Sequence, residues 1–168
     1  MKNLKTSLMY IANIIIGVLT YVFLSQSYIG GHIDLGILGS YSGDMLSGYD
    51  IIANYFDGNG TQVMMAISNL VVAILAGVLI LSSIYCMLVS FGAIKKTKAI
   101  KMFNFINVIV SLALVVFGAI SLFCTIGHLD GLSNDGDGIV VGWAVIVNLV
   151  ISVVALVTSF LGQRFSKK

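Results

Sequence analysis

Two short stretches carry the chain's only histidines, and each places an aspartate two residues later: Gly31-His32-Ile33-Asp34 and Gly127-His128-Leu129-Asp130. An imidazole can ligate a metal or carry a proton, and a nearby carboxylate can orient it. His32, Asp34, His128 and Asp130 together make a reasonable zinc set, tetrahedral at about 2.0–2.2 Å. Their spacing matches no established metal signature. A Gly-His helix stop followed by an aspartate-stabilised turn accounts for the same residues without a metal. Zinc is thus one of two readings, and no other cofactor is implied. The sequence contains no glutamate, which excludes the zinc-protease pattern.

Asparagines are the second chemical feature: Asn13, Asn69, Asn107 and Asn148, one in each of four strongly apolar segments. An amide facing lipid is costly, so each is expected to face a bundle interior or a partner chain. They could line a polar path for an ion or small solute. They could equally hydrogen-bond between helices, at about 0.6–2 kcal/mol per contact in a membrane. No carboxylate, lysine or histidine accompanies them inside the segments, so a proton relay has no basis. Hydrolysis has none either. No nucleophile elbow, no Gly-x-x-x-x-Gly-Lys-Ser/Thr loop and no Cys-His pair at one depth occurs. The expectation is a protein that is not an enzyme.

The apolar segments must position these residues. The chain has 168 residues, 58% hydrophobic and only 10% charged, with mean hydropathy +1.04. Soluble domains average about 25% charged residues, so this chain cannot clothe a water-facing surface. A membrane span needs roughly 20 mostly apolar residues. Four segments qualify, at about 7–29, 62–92, 102–126 and 139–162, none with a charged residue or histidine. The first could imitate a secretory signal, but it is longer than such an h-region, and Gln26-Ser27-Tyr28 is a poor cleavage site. It reads as a retained span.

Charge sets the orientation. Lys2, Lys5, Lys95, Lys96, Lys98, Lys101, Arg164, Lys167 and Lys168 fall at the two ends or in the 2–3 connection. Asp34, Asp44, Asp50, Asp57, Asp130, Asp135 and Asp137 fall in the 1–2 and 3–4 connections. The positive-inside rule then predicts a cell-membrane protein with N and C termini in the cytoplasm. Lysines beside anionic headgroups need no nucleic acid to explain them. Cys86 and Cys124 sit at opposite expected depths, too far apart for a disulfide, and read as small packing residues. Trp143 reads as an interface anchor.

The expected fold is all-α: a single domain over 1–168, an integral membrane four-helix bundle running up-down-up-down. Gly-His-x-Asp, then Gly58-Asn59-Gly60 or Gly136-Asp137-Gly138, then Asn69-Leu70-Val71 or Asn148-Leu149-Val150, recur in the same order. That order suggests two parallel copies of one helical hairpin. The Ala73/Gly77 pair favours a tight helix crossing, in folding or in oligomerisation.

The outer connection, about residues 30–61, is where recognition is expected. Ser47 could cap a short helix that puts Tyr49, Ile52 and Phe56 on one face. That helix could lie in the membrane interface, act as a lid over the bundle, or present Tyr41, Tyr49, Ile52, Tyr55 and Phe56 to a partner. The stretch Ser47-Gly48-Tyr49-Asp50-Ile51-Ile52 after the first span resembles one in uncharacterised bacterial four-span membrane proteins. The layout, with a long first and a short second outer loop, is similar to that of claudin-type tetraspan proteins. The claudin first-loop Trp and Cys signature is absent, since neither residue lies between Gly30 and Thr61. The resemblance implies topology and no activity. Partners are expected to be the lipid bilayer and other membrane-protein subunits or further copies of this chain. A small oligomeric transporter or channel is the alternative.

Overall fold

The computed structural model describes the backbone of residues 2–34, 40–95, 99–130 and 138–167, and side-chain surroundings within 4–30, 46–95, 99–129 and 141–166. Among the described residues, five helices and three strands follow in the order α1 (Lys2–Leu24), β1 (Ser27–Asp34), β2 (Ser40–Ser47), α2 (Gly48–Asn54), α3 (Gly60–Ser90), α4 (Ala99–Asp130), β3 (Gly138–Val141) and α5 (Trp143–Lys167). The framework is the expected all-α one. Helices α1, α3, α4 and α5 are each long and apolar enough to cross a membrane, the make-up of an integral, multi-pass membrane protein.

Local chemistry sets the helix ends. Asn59 and Gln62 form a reciprocal cap on α3: the Asn59 side chain accepts from the Gln62 amide at 3.0 Å, and Gln62 Oε1 accepts from the Asn59 amide at 2.9 Å. Such caps satisfy amides that the first turn leaves without intrahelical partners. At the other end Gly92, at φ 79°, turns the chain left-handed. Its amide donates to the Val89 carbonyl and the Ala93 amide to that of Leu88, at 3.1 and 3.0 Å. This is the Schellman arrangement, and it favours glycine at that position.

Helix α1 stops at Leu24, short of the expected end near Ile29. Ser25 and Gln26 donate to the carbonyls of Val22 and Phe23, each at 3.1 Å, which tightens the last turn. The chain then enters β1, which pairs antiparallel with β2 on one side and β3 on the other, giving the order β2-β1-β3. This sheet was not expected. Gly30 and Gly31 are weak helix formers, whereas pairing on both sides engages β1's backbone groups. One expectation is thereby corrected. Gly31-His32-Ile33-Asp34 lies in a strand, with His32 paired to Ser42 and Gly138, while Gly127-His128-Leu129-Asp130 closes helix α4. The two motif copies do not share a backbone setting.

The chain divides into two compact units. Unit 1 takes residues 1–21, 73–116 and 150–168: the start of α1, the end of α3, the start of α4 and the end of α5. That alternation of starts and ends is what up-down-up-down helices require. A buried cluster of Tyr10, Cys86, Val89 and Ile100 forms part of this unit's core, with Tyr85, Met87 and Phe103 packed against it. Helices α1 and α3 approach closely at Gly17, where a Cβ would lie 2.5 Å from Ile80 Cγ1 and 3.2 Å from the Ala76 carbonyl oxygen. Tyr21 closes the same seam by donating to the Ala73 carbonyl at 2.7 Å. Close approach of this kind is the use small residues have between membrane helices.

Unit 2 takes residues 22–72 and 117–149, including the sheet and α2. Its buried apolar residues include Leu24, Tyr28, Ile29, Ile51, Met65, Leu129 and Val145. Gly142 lies flat on β1. Its amide donates to the Tyr28 carbonyl at 2.8 Å, and a Cβ there would lie 2.1 Å from the Ser27 carbonyl oxygen. The segments of unit 1 carry all nine basic residues of the sequence, and those of unit 2 all seven aspartates.

Candidate functional site

The four asparagines are all buried, and each bonds to another element. In unit 1 they belong to a network that draws on every long helix. Asn13 on α1 donates to Ser159 Oγ on α5 at 3.0 Å and accepts from the Thr158 hydroxyl. Ser159 and Ser111 Oγ on α4 lie 2.8 Å apart, and Ser111 donates to the Asn107 carbonyl at 2.6 Å. The Asn107 side-chain oxygen accepts from Ser82 and Ser83 on α3.

A second layer in the same unit repeats the scheme. The Tyr10 hydroxyl on α1 donates to Asn104 Oδ1 on α4 at 2.5 Å, and Asn104 Nδ2 donates to Ser166 Oγ on α5 at 3.1 Å. Cys86 of α3 is buried in the same cluster as Tyr10. Asn104 is a fifth buried asparagine that the pattern of one per span passed over. Its signal was present in the sequence: Asn104, Asn107 and Ser111 follow at spacings of three and four, which puts them on one helix face.

Unit 2 holds the other two amides. Asn69 Oδ1 on α3 accepts from Ser121 Oγ on α4 at 2.7 Å. Asn148 Nδ2 on α5 donates to the Tyr28 hydroxyl of β1 at 2.6 Å. Burial pushes the Tyr28 phenol well above its ordinary range, with the Asn148 bond pulling the other way. Every side chain in these networks is a neutral amide or hydroxyl. They can orient one another and bind polar groups, but they offer no acid-base couple. Two donors stay unused: Asn69 Nδ2 and Asn107 Nδ2 are buried without a hydrogen-bond partner.

The outer connection folds as its sequence suggested in one respect. Ser47 caps α2 through a full capping box: its hydroxyl accepts from the Asp50 amide at 3.2 Å, while Asp50 Oδ2 accepts from the Ser47 amide at 2.9 Å. The Ser47 hydroxyl also donates to that carboxylate at 2.7 Å. These bonds hold Asp50 below its ordinary carboxylate range. Gly48 and Ile51 are buried, Ile52 and Tyr55 half-buried, and Tyr49 and Phe56 exposed. Gly48 faces Leu24 and Tyr28, where a Cβ would come within 2.9 and 3.2 Å of their side chains. Tyr55 meets the His128 ring edge-on at 5.6 Å, and burial raises its phenol.

For the proposed zinc set, His128 is half-buried against Tyr55. The side chains of His32, Asp34 and Asp130 lie outside the described residues, as does that of Tyr41. Among the described residues, no three His, Cys, Asp or Glu side chains gather as metal ligands do. Cys86 and Cys124 are free thiols, the first buried and the second half-buried. Trp143 stacks edge-on against Phe23, with ring centroids 5.7 Å apart. No family model matches the chain, and no curated protein matches it. The functional reading therefore rests on the residues themselves.

Proposed function

We propose that this chain is a non-enzymatic integral membrane protein, a subunit or interaction partner in a membrane assembly, acting through helix packing and its first outer connection. In this reading both termini are cytoplasmic, because every basic residue belongs to the connections and ends on their side. The observation that carries the proposal is how the interior polar groups are used. Asn13, Asn104 and Asn107 bond to hydroxyls on neighbouring helices, so they serve packing. The most elaborated part is then the outer connection with β1, β2 and α2. Cross-linking in native membranes, followed by purification in mild detergent, tests this. A stable larger species is the expected result; a monomer under every cross-linker would count against the proposal.

A second reading, a small oligomeric transporter or channel lined by Asn13, Asn69, Asn107 and Asn148, is favoured by one observation. Asn69 Nδ2 and Asn107 Nδ2 are buried donors without partners, and buried polar groups without partners call for an explanation. Solute flux into proteoliposomes that disappears on Asn69→Leu or Asn148→Leu would support this reading. Flux unaffected by both substitutions would remove it.

A further inference from the structure

The outward side of α2 carries Tyr49, 40% exposed, together with half-buried Ile52 and exposed Ala53, and Phe56 follows in the next turn at 45% exposure. Its inward side is fully engaged: Ile51 is completely buried, and Gly48 sits against Leu24 at the end of α1. A surface helix in water would put polar residues outward. Here Asp50 and Asn54 are exposed along one flank, and aromatic and aliphatic residues hold the side opposite Ile51. The span ends that belong to unit 2 do the same. Val22 near the end of α1 is exposed, as is Trp143, the first residue of α5, at 51%. Exposed apolar residues continue along both helices, at Ile15 and Val18 of α1 and Ile146 and Val150 of α5. Aromatic side chains concentrate where spans meet the headgroup layer.

We infer that α2 is seated in the headgroup–acyl boundary of the bilayer, with Tyr49, Ile52 and Phe56 toward lipid, beside Trp143. The charge around it specifies the lipid. Asp50 lies in the first turn of the helix and Asp57 follows its end, and the segments of unit 2 contain no lysine or arginine. An interfacial helix that binds anionic lipid carries basic residues on its polar face; this one suits zwitterionic headgroups. The proposal rests on the spanning helices and not on the assembly reading, so the two fail separately. If both hold, the paired strands β1 and β2 are the part of the outer connection left for a protein partner.

The single tryptophan of the chain makes the test direct. Full-length protein in phosphatidylcholine vesicles is compared with the double variant Trp143→Phe, Phe56→Trp, using lipid nitroxides at headgroup and shallow acyl positions and acrylamide in the water. The expected result is blue-shifted emission for both probes, strong quenching by the shallow nitroxides, and several-fold less acrylamide quenching than for free tryptophan amide. The same measurement with Tyr49→Trp in the Trp143→Phe background guards against a local effect of one substitution. Replacing part of the phosphatidylcholine by phosphatidylglycerol at low salt should weaken nitroxide quenching of the α2 probe, and added salt should restore it. An α2 probe quenched by acrylamide as freely as the model compound places the face in water and overturns the inference. In native membranes, a probe shielded from both quenchers reveals a protein partner there and overturns it equally.

Discussion

The Asp50 carboxylate shows how one exposed side chain can govern an element. Its bonds from the Ser47 hydroxyl and amide are stronger while it is ionised, and they hold its pKa below the ordinary value of 3.8. A group whose folded-state pKa is depressed contributes stability above the unfolded value and loses it as pH falls through the folded value. Exchange protection of the Asp50 amide should therefore hold from neutral pH down to the ordinary carboxylate range and fall below it. Asp50→Asn should flatten that dependence, and protection that ignores pH in the wild type would contradict the capping role. Two glycines make a second comparison at this scale. A Cβ at Gly142 would lie 2.1 Å from a backbone oxygen of β1 that cannot swing aside. Gly142→Ala should lower thermal stability in detergent by about 1–3 kcal/mol, the range for overpacking. At Gly118 the nearest atom would be Leu149 Cδ1 at 3.5 Å. Gly118→Ala should be neutral or stabilising by up to about 1 kcal/mol, from helix propensity. Equal effects from the two would refute this account.

Among the elements, the polar layers tie the long helices together. Apolar faces do not distinguish a neighbouring helix from lipid, so hydrogen bonds and close packing choose the partners. Asn13 bonds both Ser159 and Thr158. Asn13→Leu should cost roughly 1–3 kcal/mol, since each contact contributes about 0.6–1.7 kcal/mol. A double-mutant cycle with Ser159→Ala should show coupling. A cycle without coupling would place the stabilisation elsewhere. The short helix α2 depends on tertiary contacts more than on itself, because seven residues are too few for a stable isolated helix. Its Ser47–Asp50 box sets where it starts, and Ile51, Gly48 and the Tyr55–His128 contact hold it to unit 2.

At the scale of the whole molecule, the separation of charges is the dominant feature. The segments of one unit hold nine basic residues and those of the other seven aspartates, and the proposed orientation follows from the positive-inside rule. A C-terminal alkaline phosphatase fusion should be inactive, and an insertion of the same reporter after Gly58 should be active. The opposite pattern would invert the proposed orientation.

Four spans could be read directly, because a long apolar run without charge has no other inexpensive environment than lipid. The α2 cap was equally legible, since a capping box is local and needs only Ser47 and Asp50. Partnering was not. Which serine each asparagine meets depends on helix rotation, and Ser82, Ser121 and Ser159 lie 25, 52 and 146 residues from the asparagines they bond. The sheet was hidden for the same reason. Ser27–Asp34 contains glycines and alternating residues that choose a strand only once β2 and β3, separated from it in sequence, supply hydrogen bonds on both sides. That pairing also parted the two Gly-His-x-Asp motifs, leaving one in a strand and one in a helical turn. Composition and charge order thus determined what crosses the membrane, being sums along the chain. Tertiary structure decided which polar groups are used up in packing, because a hydrogen bond needs both partners in place.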